Sequence, residues 1–358
     1  MRIIVWIFLL IGISACSNNT NYSKSSEQTV AAAIPVNKVE HSLFLEENID
    51  LIGKRIQNFF RLTDSTSLVV SEEKLFVYSD QGYQLYQIGE KGEGPKQYIR
   101  IDKVSVSDKY VYIWNNVQKK ILVYAFSGEF IKSYNLPQLG IADFVIYKDH
   151  LLCCLFNGTE GDKSIEIYDL HTMDTILSLT SKTEEDQLLF LAEQAGGVCL
   201  NGTKLYWSYP SKLALYVLDL ENLETPVNEI VYKDDEFMVS KLGEKAYSLI
   251  NANKFKAMEF INSNSRIVQV DTYDNFIFVM AETGNIIWQA NGNFSYENRK
   301  IKLYKIDSRN WASLSTYVYD IPSYCGLTKF VDGYLYRFRA SFSKDDYKVL
   351  MDKVSAHL

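Results

Sequence analysis

The 358-residue sequence carries 37 Lys and Arg against 44 Asp and Glu, a net charge of −7, with 47% apolar and 23% charged residues. That balance excludes wholesale disorder, a collagen-like chain and a polytopic membrane protein. The acidic excess gives no basic footprint for nucleic-acid phosphates, and four His leave little material for a histidine-rich metal or acid–base centre.

Met1-Arg2 supplies a positive start, and Ile3 to Ile13 is an apolar run broken only by Gly12. It is too short for the ~20 residues of a membrane-spanning helix and has the length of a signal-peptide core. The run ends in Ile13-Ser14-Ala15-Cys16, which resembles the lipobox of bacterial lipoproteins. The resemblance implies that residues 1–15 are a cleaved signal peptide, that Cys16 is lipidated, and that the membrane is a partner through this lipid. Residues 16–40, rich in Ser, Asn, Thr and Gln, read as a flexible tether to a domain at 41–358. In such lipoproteins Ser17 is not an inner-membrane retention residue, which implies the outer membrane. The first acid is Glu27, so the acidic run of surface-exported members is missing and a periplasm-facing anchor is favoured.

The body is a succession of short alternating or β-branched strands punctuated by Gly, Asn, Asp, Ser and Lys turns, without an amphipathic helical stretch before residue 234. A first unit reads TSLVV and KLFVYS around Glu72-Glu73, then YQLYQIG. The second is the clearest, with VSVS, YVYIWN, KILVYA and EFIKSYN over residues 104–135. A third (DFVIYK, HLLCCLF, SIEIYDL, DTILSLT) spans 143–180, and a fourth (GGVCLN, KLYWSYP, ALYVLDL, NEIVYK) spans 196–233. Met238, Leu242, Ala246 and Leu249 then recur at helical spacing, which predicts a short helix inserted between units four and five. Unit five (RIVQV, NFIFVMA, KIKLYKI, STYVYD) spans 266–320 and contains a long loop from Glu282 to Arg299. Unit six starts with LTKFV and YLYRFRA but lacks room for a regular fourth strand, which a segment between His41 and Leu62, such as SLFLEE, would supply. Meanders of four strands repeating in this way define an all-β fold, a six-bladed β-propeller of four-stranded antiparallel blades.

Ile88-Gly89-Glu90-Lys91-Gly92-Glu93-Gly94-Pro95-Lys96-Gln97-Tyr98 and the strands of unit two resemble the six-bladed β-propeller lipoproteins of Gram-negative bacteria related to NHL and TolB-like propellers. Two departures stand out: Asn115 replaces the usual acid after the second strand, and Ala125 the usual Asp or Asn after the third. The Gly89 to Pro95 loop is not a phosphate cradle, because Pro and a strand follow it where a P-loop has Lys and a helix. Cys153 and Cys154 are adjacent on a strand and point to opposite faces, so they are read, with Cys199 and Cys325, as buried free thiols. Asn157-Gly158-Thr159 and Asn201-Gly202-Thr203 are read as a loop and a turn.

No G-x-S-x-G elbow, S-x-x-K or metal-ligand spacing is present, so no catalytic residue, metal ligand or cofactor is assigned. The expected activity is non-catalytic binding or scaffolding of a protein or glycan in the cell envelope, with no nucleic-acid partner. Inter-blade connections and long insertions share one face of a propeller, which makes Lys96, Arg100, Asn115, Tyr209, Lys212, Trp288, Phe294, Tyr296 and Arg299 the candidate binding residues. Some six-bladed propeller hydrolases hold calcium with scattered Asp, Asn and Glu at the channel mouth. The rival expectation is therefore a calcium-dependent hydrolase or lyase with its site there.

Overall fold

The computed structural model describes residues 25–36, 39–46, 56–136, 140–157, 163–180, 182–192, 194–288, 294–320, 325–343 and 346–355. Residues 1–24, which include the expected signal peptide and Cys16, lie outside the described residues. Three strands open the described chain: β1 (Ser26–Thr29), β2 (Ala33–Pro35) and β3 (Val39–Phe44). Blade 1 follows with β4 (Ile56–Thr63), β5 (Thr66–Ser71), β6 (Leu75–Ser79) and β7 (Gln84–Ile88). Blade 2 has β8 (Lys103–Val106), β9 (Tyr110–Asn115), β10 (Lys120–Ala125) and β11 (Phe130–Asn135). Blade 3 has β12 (Ile141–Tyr147), β13 (Leu151–Phe156), β14 (Lys163–Asp169) and β15 (Thr175–Thr180).

Helix α1 (Glu184–Leu189) precedes blade 4, made of β16 (Gly197–Asn201), β17 (Lys204–Ser208), β18 (Ala214–Asp219) and β19 (Asn228–Lys233). Helices α2 (Ala246–Ala252) and α3 (Lys254–Ser263) precede blade 5, with β20 (Arg266–Tyr273), β21 (Phe276–Trp288), β22 (Phe294–Asp307) and β23 (Ser313–Asp320). Blade 6 holds β24 (Cys325–Val331), β25 (Tyr334–Ser343) and β26 (Asp346–Ser355). Its fourth strand is β3, antiparallel to β26, so the first and last parts of the propeller share one sheet, as the SLFLEE segment foretold. Asp352 clamps this closure, accepting from Ser42 Oγ at 2.7 Å and Arg339 Nε at 2.8 Å.

The first strands β4, β8, β12, β16, β20 and β24 stand side by side around a central channel. Between successive blades lie separate apolar clusters, and strand alternation decides which residue serves which. In β9, Val111 and Ile113 enter the cluster shared with blade 1, while Tyr112 and Trp114 enter the one shared with blade 3. Cys153 and Cys154 divide in the same way between the clusters toward blades 4 and 2, and both are free buried thiols, as is Cys199.

Four expectations need correction. Residues 16–40 are not wholly a flexible tether: β1 adds in parallel to the outer strand β19 of blade 4, and β2 in parallel to β23 of blade 5. The open hydrogen-bonding edges of those blades recruit a polar segment whose composition alone signals a linker. In blade 1 the turn at Glu72-Glu73 joins the second and third strands, because Ile56–Thr63 supplies an inner strand. A helix does occur before residue 234, since α1 is nucleated by a capping box in which Thr183 and Asp186 exchange side chain-to-backbone hydrogen bonds. Most of the expected Glu282 to Arg299 loop is strand: residues 282–288 and 294–299 continue β21 and β22, pairing Asn285 with Glu297 and Trp288 with Phe294, and residues 289–293 lie outside the described residues.

The helical insertion lies between blades 4 and 5 as expected, although it begins at Ala246 and breaks at Asn253, whose side chain accepts from Lys256 N at 3.1 Å to cap α3. Met238 is exposed, outside the helix.

Ring closure by β3 sets a testable hierarchy. A chain starting at residue 38 should stay a monodisperse, cooperatively melting propeller with a lowered Tm. A chain starting at residue 46 loses β3, bares the edge of β26 beside Val349 and Val354, and should aggregate or melt without cooperativity in size-exclusion and calorimetric measurements.

Candidate functional site

The topology gives the ring two unlike faces. One carries the tight turns between first and second and between third and fourth strands. The other carries the second-to-third loops and all blade-to-blade connections, and therefore the Gly89 to Pro95 loop, α1, α2, α3 and the β21–β22 arm. Two features dominate the described residues: the channel and a pocket on the loop face beside blade 4.

The channel holds one cavity of about 630 Å³ toward the turn face and one of about 580 Å³ toward the loop face. Asn58, Val104, Asp143, Val268, Gln269 and Lys329 line both and form a waist. Register shifts in β4 and β12 just before Asn58 and Asp143 explain why polar side chains interrupt apolar inner strands there. At each bulge the side chain accepts the next backbone N–H, Phe59 N at 2.9 Å and Phe144 N at 3.0 Å. Asp143 also accepts Val198 N of blade 4 at 3.1 Å.

Asp271 accepts Thr272 N at 2.8 Å and Gln269 Nε2 at 2.9 Å. The Gln269 amide then bonds both backbone groups of Phe330, at 2.6 and 3.0 Å, and stitches blade 5 to blade 6. Burial raises the carboxyls of Asp143 and Asp271, the latter to about 6, against the opposing pull of Lys329. Burial likewise lowers the Lys103 ammonium. The Lys329 ammonium sits 5.5 Å over the Phe60 ring.

The loop-face pocket encloses about 450 Å³ and is built from three connections: α1 with Thr183, the blade 4 loop with Tyr209, Ser211 and Lys212, and the stretch Val239 to Lys241 ahead of α2. Asp186 accepts Ser211 N at 2.9 Å, and Glu185 accepts Leu242 N at 2.9 Å, so α1 fixes both other segments. Below, Tyr216 stacks on Trp207 at 5.5 Å and meets Tyr209 edge-on at 5.0 Å. Glu229 accepts from Tyr216 Oη at 2.8 Å and from Lys212 Nζ at 2.5 Å. Leu188, Ala246, Leu249, Ala257 and Ile261 form a small core that holds the three helices together.

Of the sequence-predicted residues, this pocket brings together Tyr209 and Lys212. Arg100 stands at the loop-face mouth of the channel, its Nε 2.7 Å from Asp102. Lys96 lies on the glycine loop 5.7 Å over Phe130, and its carbonyl accepts from the Tyr124 hydroxyl. That loop closes on itself through Gly92 N to Tyr98 O at 3.0 Å and Tyr98 N to Glu90 O at 3.1 Å. Arg299 pairs with Glu282, which Arg266 also engages. Trp288 pairs with Phe294, and Ile286 with Tyr296, along the β21–β22 arm. Asn115 is not a surface residue: it is fully buried, and its amide bonds Gln118 Oε1 at 2.8 Å and Gln118 N at 3.2 Å to staple a turn. The waist residues escaped sequence reading. Their one signal is an acid, amide or lysine inside the apolar first strands DFVIYK, RIVQVD and LTKFV. Among the described residues no cluster of three His, Cys, Asp or Glu is placed to hold a metal.

Comparison with known proteins agrees with the architecture. Residues 60–290 match the family DUF5128, described as 6-bladed beta-propeller, and the chain belongs to that family. An exported-protein candidate from Bacteroides fragilis is similar in fold at 16% identity and a TM-score of 0.62, covering 92% of this chain and 100% of its own. A member of the DUF4221 family from Bacteroides vulgatus is similar at 13% identity and a TM-score of 0.63, covering 89% and 97%. No curated protein matches the sequence.

The raised Asp271 carboxyl has a signed consequence. Its folded pKa of about 6 lies above that of an unfolded aspartate, so its ionisation costs stability that returns as pH falls through 6. Between pH 7.5 and pH 5, wild-type Tm should gain a few degrees relative to Asp271→Asn. Parallel melting profiles of the two chains over that range would contradict the assignment.

Proposed function

We propose that this propeller is a lipid-anchored protein of the outer membrane, of the NHL and TolB-like lipoprotein kind, that binds a protein or glycan of the envelope at its loop face without transforming it. The observation that carries the reading is the pocket beside blade 4. Three chain connections, distant in sequence, are tied by Asp186 and Glu185 into one concave site containing Tyr209 and Lys212. Variable connections held on a rigid ring suit recognition. The pocket's carboxylates are already engaged, Asp186 by backbone amides and Glu229 by Lys212 and Tyr216, which suits holding a ligand better than moving protons.

The lipobox supports the anchor, and the resemblance in fold to an exported-protein candidate accords with export. No helix among the described residues is long and apolar enough to cross a membrane, and the anchor proposed from the lipobox is the lipid on Cys16. The rival calcium-dependent hydrolase or lyase would need the channel acids to share a cation. The Lys329 ammonium acts on both Asp143 and Asp271, and its charge opposes calcium there.

Two measurements test the proposal. Cys16→Ser should abolish incorporation of a labelled fatty acid and move the protein from the membrane pellet to the soluble fraction; continued pelleting would refute the anchor. For binding, a photo-crosslinking residue at Ser240 on the pocket rim should give an envelope adduct, or a glycan array a signal, that Lys212→Glu removes. The same adduct from a crosslinker at Lys132 on the outer edge of blade 2, with no glycan signal, would count against the pocket.

A further inference from the structure

We propose that the channel waist is a second binding site, for a small zwitterion: a molecule carrying one carboxylate and one ammonium, of the size of a free amino acid or dipeptide. The site is separate from the loop-face pocket and does not depend on lipidation.

Lys329, Asp143 and Asp271 line the channel without pairing with one another among the described residues. Lys329 forms neither an ion pair nor a hydrogen bond among the described residues; its neighbour is the Phe60 ring at 5.5 Å. Among the described residues Asp143 bonds only backbone amides, and Asp271 only an amide and the Gln269 side chain. Lys329 nevertheless acts electrostatically on both acids. Half-buried charges of opposite sign that stop short of contact bear desolvation without the compensation of pairing. A bound group inserted between them can supply that compensation.

The sign of the ligand follows from the order of charges along the channel. Asp143 and Lys329 line both cavities, Lys103 lines only the loop-face cavity, and Asp271 only the turn-face cavity. Arg100 also opens on the loop-face side but is engaged by Asp102, and the turn-face rim carries both signs in Asp108, Lys109, Lys148 and Asp149. Across the waist, positive charge is therefore displaced toward the loop face and negative charge toward the turn face. An anion alone would meet Asp143 and Asp271, and a cation alone would meet Lys329 and Lys103. A zwitterion with its carboxylate toward Lys329 and its ammonium toward Asp271 and Asp143 satisfies both ends. Asn58 and Gln269 are the neutral polar groups at the same level. Cavities of about 580 and 630 Å³ have room for such a molecule.

The test is isothermal titration calorimetry of the full chain in detergent with four probes: L-alanine, L-alanyl-L-alanine, N-acetyl-L-alanine and L-alaninamide. At least one of the two zwitterions should bind with a Kd of about 1 mM or tighter, with the anion-only and cation-only probes at least about tenfold weaker. Lys329→Gln and Asp271→Asn should each weaken the zwitterion by about tenfold or more, and Lys132→Gln on the outer edge of blade 2 should leave it unchanged. The probe comparison on the wild-type chain stands even where a channel variant folds poorly. Absence of binding by both zwitterions up to ~10 mM, or equal affinity for N-acetyl-L-alanine, would overturn the proposal.

Discussion

Every blade is a sheet with two apolar faces, and a sheet of that kind is stable only when both are covered. In a ring each blade covers its neighbour, so the requirement is met everywhere once the ring closes and fails at two blades if it does not. Closure therefore governs the molecule, and it rests on the antiparallel pairing of Val39–Phe44 with Asp346–Ser355. Asp352 joins β3, β25 and β26 through Ser42 and Arg339, with a carboxyl held below the usual aspartate range: burial opposes this, and the hydrogen bonds from Arg339 and Ser42 prevail. A chain segment that precedes blade 1 is thus part of blade 6.

The same geometry creates the places where a ligand can sit. Apolar residues are drawn into the spaces between blades, and the first strands are left facing one another around an axis too wide for side chains to fill. There the inner strands can carry Asn58, Asp143, Asp271 and Lys329 without breaking a core, because the bulges and neighbouring backbone amides accommodate them. Gly197 marks how closely the inner strands of blades 4 and 5 approach: a Cβ at that position would lie 2.5 Å from Val270 N. The second-to-third and blade-to-blade connections are free to lengthen, and all of them emerge on one face. Lys302, buried in blade 5, holds Asp234 at 2.8 Å and so fixes the start of the helical insertion to the scaffold.

Legibility in the sequence followed burial. Strands such as YVYIWN and KLYWS alternate between two apolar environments, so their unit structure was visible, as was the missing fourth strand of the last blade. Segments held by backbone hydrogen bonds alone were invisible. Ala33-Ile34-Pro35 is exposed, and its pairing with Thr316 to Val318 leaves no periodic side-chain trace. The β21–β22 arm contains Thr283, Gly284 and Asn285, which favour a loop in isolation, yet cross-strand pairing carries it on to Trp288. Tyr209 and Lys212 could be named because they flank a blade loop. Their association with α1 could not, since it depends on Asp186 reaching Ser211 across residues far apart in sequence. The waist was hidden for a different reason: one charged residue in each of several strands resembles ordinary alternation until the ring places them opposite one another.

The outer strap also bears on how the two faces meet the membrane. β1 pairs in parallel with β19, with Ser26 opposite Ile230 near the turn-face end of blade 4 and Thr29 opposite Lys233 near the loop-face end. Cys16 stands ten positions before Ser26, a length that spans at most about 35 Å when fully extended. On the proposal that Cys16 carries a lipid, the propeller would be held by the outer edge of one blade at its turn-face end, and the loop face with its pocket lies at the other end of that blade. The strap covers two sheet edges that would otherwise recruit foreign strands, and on the proposed lipidation it would also transmit the anchor to the ring at a fixed point.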